Sequence, residues 1–178
     1  MKYLVISDIH WSSSYLKKVL LKVNDFDKLI ILGDILYHGP RNNLPQGYNP
    51  KEVVNILNSI KDKIIAIRGN CDAKVDLMVL EFPISDHKWI DYNGIKILLT
   101  HGDEYSKHNL CLQKDKYVMI YGHYHINEIV NLEHVLCINL GSLSLPKDNM
   151  YSYGIISDDR FTSYNLENDD VIYLVNLK

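Results

Sequence analysis

The feature that most constrains this chain is the way its short apolar runs end. Tyr3–Ile6 stops at Ser7-Asp8-Ile9-His10, and Leu29–Leu32 stops at Gly33-Asp34. Ile64–Ile67 gives way to Arg68-Gly69-Asn70-Cys71-Asp72, Ile97–Leu99 to Thr100-His101-Gly102-Asp103, and Val118–Tyr121 to Gly122-His123-Tyr124-His125. Continuous Ile, Val and Leu without alternation is how strands covered on both faces read. In open α/β sheets, ligands gather outside the carboxyl ends of such strands. A fold that aligns these five ends therefore collects Asp8, His10, Asp34, Asn70, His101, His123 and His125 in one crevice. Glycines beside most of them let the backbone turn sharply and come close.

The connecting segments of the first half fit helices. Ser12–Ser14 is placed to cap a helix whose Leu16, Val19, Leu20 and Val23 share one face. Asn49-Pro50-Lys51-Glu52 reads as an N-cap, a proline at the first helical position and an acidic residue three past the cap. Val53, Ile56, Leu57 and Ile60 follow as its buried stripe. This half is expected to form a parallel βαβαβ sheet. The second half is strand-rich. Trp89–Tyr92 and Ile95–Thr100 flank Asn93-Gly94, which supplies the positive φ of a tight hairpin turn. Further strand-like runs follow at Tyr117–Tyr121, Ile126–Asn131, Val135–Asn139, Gly154–Ser157, Phe161–Asn165 and Val171–Val175, with a helix expected only over Tyr105–Leu112. Two packed sheets with helices outside bury both halves, so a mixed α/β fold in one domain over 1–178 is expected.

Composition narrows the function classes. The chain of 178 residues is 47% hydrophobic and 23% charged, which excludes disorder as the dominant state. A net charge of −3 gives no global signal for nucleic acid or an anionic membrane. The longest apolar runs, Tyr117–Tyr121 and Val171–Val175, fall far short of the roughly 20 residues of a membrane helix. Met1-Lys2 leads straight into a strand-like run, so no export signal is expected. Cys71, Cys111 and Cys137 form no CxxC pair and are odd in number, as expected of reduced thiols in a cytoplasmic protein.

Two carboxylates, one amide and four imidazoles suit divalent Mn, Fe, Co, Ni or Zn. Seven donors are too many for one ion that keeps positions open for substrate, and they suffice for two ions sharing a bridging carboxylate. Asp8 and His10, like His123 and His125, are two apart, so an extended backbone is expected to aim each pair to one side. Two ions about 3.5–4 Å apart clamp the attacking and leaving oxygens of a displacement at phosphorus. Each motif alone is ordinary: Gly33-Asp34 is usually a turn, and Asn70 a turn or left-handed residue. Only their ordered conjunction at five strand ends is specific. In the loop after Asp34, His38 and Arg41 are substrate-binding candidates, Arg41 being able to hold a phosphate oxygen. Arg68 is expected to pair structurally beneath the site. His87, His108 and His134 lie in polar stretches as solvated residues, and Lys17, Lys18 and Lys22 form a solvated helix face.

The ordered set DxH, GD, GN, HG and GHxH resembles the calcineurin-like metallophosphoesterase superfamily. Gly33-Asp34-Ile35-Leu36-Tyr37-His38-Gly39-Pro40-Arg41-Asn42 and Arg68-Gly69-Asn70-Cys71-Asp72 resemble its bacterial YfcE-like phosphodiesterase branch, over Met1 to about Gly154. The resemblance implies a four-layer α-β-β-α sandwich of two mixed sheets and a Mn-dependent phosphodiesterase. It implies that Asp8, His10 and His125 hold a first metal, that Asn70, His101 and His123 hold a second, and that Asp34 bridges them. Asp34, Asn70 and His101 are then the catalytic positions, with a hydroxide shared by the ions attacking phosphorus. Cys71 stands where better-known relatives have a histidine that helps the leaving group, which makes it a substrate-side candidate and points to leaving groups that depart readily. Asp103 replaces a usual histidine, an extra carboxylate that disfavours highly anionic substrates. Tyr124 replaces a usual threonine, and Asn139-Leu140-Gly141-Ser142 stands for a usual asparagine-proline-glycine-serine. The implied partner is a small phosphodiester, with no membrane, no duplex nucleic acid for want of a basic stripe, and a homodimer or homotetramer by family analogy. The competing readings are a non-catalytic scaffold of the same fold and a nuclease or nucleotide phosphatase.

Overall fold

Three of the apolar runs become parallel neighbours. β1 (Tyr3–Ile6), β2 (Lys28–Ile31) and β3 (Ile64–Ile67) pair in that order, with Leu4 beside Leu29 and Leu29 beside Ile64. The computed structural model describes residues 1–178, Asp76 without its side chain. The crossovers are α1 (Ser13–Lys22) and α2 (Pro50–Ser59). Ser12 and Asn49 cap them, their side-chain oxygens accepting from the amides of Tyr15 and Glu52. The strands are buried on both faces, as their unbroken apolar character requires. Leu4 and Leu29 face α1 and α2, whereas Val5 and Ile30 face the second sheet. Each such side chain contributes about 1.5–3 kcal/mol on burial.

A short helix, α3 (Lys74–Leu77), leads to β4 (Ile84–Ser85), which extends this sheet beyond β3 and was not legible as a strand. The second sheet is ordered β5-β6-β7-β9-β8, from β5 (His87–Tyr92), β6 (Ile95–Thr100), β7 (Tyr117–Tyr121), β8 (Glu128–Leu132) and β9 (Val135–Asn139). β6 and β7 run parallel, and Asn93-Gly94 makes the β5–β6 turn with both residues at positive φ.

The sequence leaves open which sheet takes the last three strands. β10 (Ser152–Ser157), β11 (Arg160–Asn165) and β12 (Val171–Asn176) return to the first sheet and pair antiparallel beyond β1, giving the seven-strand order β12-β11-β10-β1-β2-β3-β4. Ile156 and Phe161 thereby join the core between the sheets, and Phe161 lies so close to Gly154 that a Cβ there would meet its ring at 2.6 Å. The helix expected over Tyr105–Leu112 is absent. Ser106 and Asn109 exchange two backbone hydrogen bonds and Asn109 donates to the Glu104 carbonyl, a local competition for backbone groups typical of Ser and Asn. This coil lays Tyr105, Leu110 and Cys111 over Leu98, Met119 and Tyr121. The two-sheet sandwich thus carries helices on the outer face of the seven-stranded sheet and coil on that of the five-stranded one. Among the described residues, no helix is long and apolar enough to cross a membrane.

Candidate metal centre

Because β1, β2 and β3 are parallel in one sheet and β6 and β7 in the other, five carboxyl ends meet at one edge of the sandwich. All seven residues expected there are brought together. Asp8, His10 and His125 form one buried group: His125 Nε2 is 3.3 Å from Asp8 Oδ1 and 3.3 Å from His10 Nε2. Asp8, Asp34 and His101 form a second, adjoining group. Asn70 Oδ1 lies 3.0 Å from His101 Nε2 and 2.8 Å from His123 Nδ1, which completes the cluster. Asp34 sits between the halves, Oδ1 at 3.5 Å from His101 Nε2 and Oδ2 at 3.9 Å from His10 Nε2.

The paired spacings work by a different device from the extended backbone expected for them. Asp8, His10, Asp34, His123 and His125 all have φ between 47° and 69°. Left-handed conformation costs an L-residue about 1–2 kcal/mol, and such strain collects at functional sites where surrounding packing enforces it. The left-handed turns, not strand alternation, aim these side chains inward. Two glycines allow the close packing of the loops. A Cβ on Gly69 would lie 2.1 Å from Asp34 Oδ1, and one on Gly122 would lie 1.8 Å from Ser7 Oγ.

Backbone carbonyls fix the imidazoles. His10, His101 and His125 donate from Nδ1 to the carbonyls of Tyr37, Leu32 and Leu145 at 2.9, 2.7 and 2.6 Å, leaving Nε2 turned into the cluster. His123 is the exception and presents Nδ1. Such bonds set the tautomer a metal requires. Asp8 Oδ2 accepts from Ser7 Oγ at 2.7 Å and from the His123 amide at 3.1 Å, while Ser142 and Ser144 hold the Asp8 carbonyl. Burial alone would raise the Asp8 carboxyl, but the neighbouring His125 imidazole, 3.3 Å away, outweighs it and holds the group well below the usual carboxylate range. Burial likewise opposes charge on His101, yet the hydrogen bond and charge of Asp34 win and hold it up at about 10. At His10 burial prevails and lowers the imidazole.

The donor set fits a divalent ion by an observation within the cluster. Asp8 Oδ1 is buried with no hydrogen-bond partner, and it faces His125 Nε2 and His10 Nε2. A buried carboxylate oxygen without a donor costs free energy unless a cation meets it. Asp8, His10, Asp34, Asn70, His101, His123 and His125 offer the mixed nitrogen and oxygen donors that Mn, Fe, Co, Ni or Zn take.

The substrate-side candidates are more scattered. Cys71 touches the centre twice, its amide donating to Asp34 Oδ1 at 2.8 Å and its Sγ accepting from Asn70 Nδ2 at 3.4 Å, while burial and the Asp34 charge push its thiol up to about 12. His38 is half-buried, edge-on to the rings of Tyr37 and Tyr48, with Nδ1 buried and unpartnered; Arg41 is exposed. Arg68 pairs with Asp86 at 2.6 Å on a partly exposed face. Lys17, Lys18 and Lys22, read as solvated, pair with Glu52, Glu167 and Asp169. Asp72 was left without a role by the sequence. It is buried and accepts from amides of both the 33–36 and 69–72 loops, a role that no side-chain pattern in the sequence signals.

A family model described as the calcineurin-like phosphoesterase superfamily domain matches residues 1–159. The chain is 38% identical over 176 residues to Phosphodiesterase YfcE of Escherichia coli strain K12, covering 97% of this chain and 96% of that one. The solved structure of YfcE, a phosphoesterase from E. coli, superposes with a TM-score of 0.94 at 38% identity, covering 100% of both chains. Vps29 from Entamoeba histolytica, solved with zinc, shares the fold at a TM-score of 0.61 and 19% identity over 100% of both chains.

Proposed function

Since the chain belongs to the calcineurin-like phosphoesterase superfamily, we propose that it hydrolyses small phosphodiesters with two divalent metal ions, manganese first among them. The observation that carries this reading is the position of Asp34, whose two oxygens point one to each half of the cluster. Asp8, His10 and His125 would hold one ion, and Asn70, His101 and His123 the other. Bound there, the pair supplies Lewis acidity that makes water nucleophilic near neutral pH and neutralises charge at phosphorus. The chain's own part is preorganisation. Carbonyl bonds at Nδ1 keep three imidazoles in one tautomer, so no reorganisation is needed when charge develops.

Leaving-group chemistry follows from Cys71. Its thiol is a neutral, very weak acid and offers little proton donation to an alkoxide. Diesters with acidic leaving groups, such as aryl esters, are therefore the favoured class. Exposed Asp103 near His123 disfavours heavily charged phosphates, and Arg41, exposed in the loop after Asp34, is assigned to a phosphate oxygen. The test is direct. Metal-depleted protein should hydrolyse a bis-aryl phosphodiester when Mn²⁺ is restored, and Asp34→Asn should abolish turnover. Undiminished turnover in Asp34→Asn would overturn the bridging role; a preference for monoesters would overturn the substrate class; Mn²⁺ binding without turnover would favour a scaffold.

A further inference from the structure

We infer that Asp72 is a positioning residue that locks the loop carrying Asp34 onto the loop carrying Asn70, and so sets the half of the metal centre built by Asn70, His101 and His123. The inference rests on the two-ion reading and assigns a role to a residue outside its seven donors. The Asp72 side chain is 2% exposed. Its Oδ2 accepts from the amides of Gly69 at 2.8 Å and Ile35 at 3.4 Å, and its Oδ1 accepts from the amide of Leu36 at 3.0 Å. Three donors from two loops thus end on one carboxylate. A fourth bond crosses the same gap, from the Cys71 amide to Asp34 Oδ1 at 2.8 Å. The loops also pack directly at Gly69, where even a Cβ would collide with the Asp34 backbone.

The chemistry calls for an acceptor with two oxygens and no proton-bearing nitrogen. Asparagine offers one carbonyl oxygen. Turned toward Gly69 and Ile35, its amide nitrogen would oppose the Leu36 amide, the shorter of the two bonds from the Asp34 loop; turned the other way, it would oppose Gly69 and Ile35. Either way at least one of the three bonds becomes a donor-donor clash and the junction is loosened while the side-chain shape is kept. Asp34 would then shift relative to Asn70, and the ion that needs both would be held less well. Asp8, His10 and His125 lie on other segments and would keep theirs. Partners that orient metal ligands are worth about 10–100-fold in affinity.

The experiment titrates metal-free protein with Mn²⁺, counting free ion by electron paramagnetic resonance. Wild type should take up two ions. Asp72→Asn should keep one near native affinity and bind the second at least tenfold more weakly. A variant that binds both with native affinity overturns the inference alone, whereas a wild type that takes up one ion overturns the two-ion reading. The control is Leu16→Ala, a core substitution in α1 that should lower thermal stability yet retain both ions; equal loss of the second ion there would overturn the inference by making the effect general loosening. If Asp72→Asn does not fold, amide hydrogen exchange in the wild type decides. Gly69 and Leu36 amides should be protected as strongly as those of β1, and exchange at the rate of exposed amides would overturn the lock.

Discussion

Gly69→Ala is the sharpest probe of how closely the two ligand loops must approach. The added Cβ would stand 2.2 Å from the Asp34 backbone nitrogen, 2.1 Å from its Oδ1 and 2.8 Å from its Cγ. Ordinary contact begins near 3.4 Å, so the loops must part by more than 1 Å. The Asp34 backbone cannot rotate away as a flexible side-chain end could, and the Cys71 amide bond to Asp34 Oδ1 would be stretched or lost. Overpacking of this kind costs about 1–3 kcal/mol, which for a chain of this length lowers Tm by about 2–4 °C per kcal/mol. A misplacement of about 1 Å at a catalytic group costs on the order of 10²-fold in rate. The comparison is Gly94→Ala in the β5–β6 turn. There φ is +80° and nothing lies within 4 Å, so it costs about 1–2 kcal/mol of backbone strain without touching the centre. Differential scanning fluorimetry and kcat/KM on an aryl phosphodiester should show both variants destabilised and only Gly69→Ala slowed about 100-fold. Wild-type kcat/KM in Gly69→Ala would refute the reasoning.

Three further outcomes are expected. In the metal-free protein His101 is raised to about 10 by Asp34, above an unfolded value near 6.5. Its contribution to stability is therefore complete below about pH 6.5 and is lost as pH rises through about 10; since ligation needs the free imidazole, Mn²⁺ uptake at pH 7 should release about one proton from this site, falling to about half a proton only near pH 10. Calorimetry in buffers of different ionisation enthalpy counts the protons, and none released at pH 7 would contradict the pairing. The Cys71 thiol, pushed up to about 12, should alkylate with iodoacetamide at pH 7 at least about 100-fold more slowly than free cysteine; rapid labelling of Cys71 followed by mass spectrometry would contradict its burial. Phe161→Ala, which empties the inter-sheet core, should cost about 3–5 kcal/mol in denaturant unfolding while leaving the number of bound Mn²⁺ ions unchanged.

Much of the architecture was legible because strand burial writes itself into unbroken apolar runs. β1, β2, β3 and the helix caps at Ser12 and Asn49 fall where sequence places them. The convergence of the seven polar residues was legible for the same reason, since each follows a strand that is parallel to its neighbour. What resisted was non-local. Nothing in the spacing of Gly154–Ser157 says that β10 leaves the nearer sheet and pairs with β1, because pairing partners far apart in sequence are chosen by packing. The coil at Tyr105–Leu112 has helix-compatible apolar spacing but gives its backbone bonds to Ser106 and Asn109. The left-handed turns at Asp8, His10, His123 and His125 were hidden because these are not glycines; their strain is imposed by the fold. Asp72 escaped notice because its work is done on backbone amides, which carry no sequence signature.

Anomalous diffraction from crystals grown with Mn²⁺ examines the shared-carboxylate claim at its root. Two manganese peaks should appear at the carboxyl edge of the sandwich, one contacted by Asp8, His10 and His125, the other by Asn70, His101 and His123, with a separate Asp34 contact to each. A single peak at saturating Mn²⁺, or a pair of peaks with Asp34 touching only one, would contradict it.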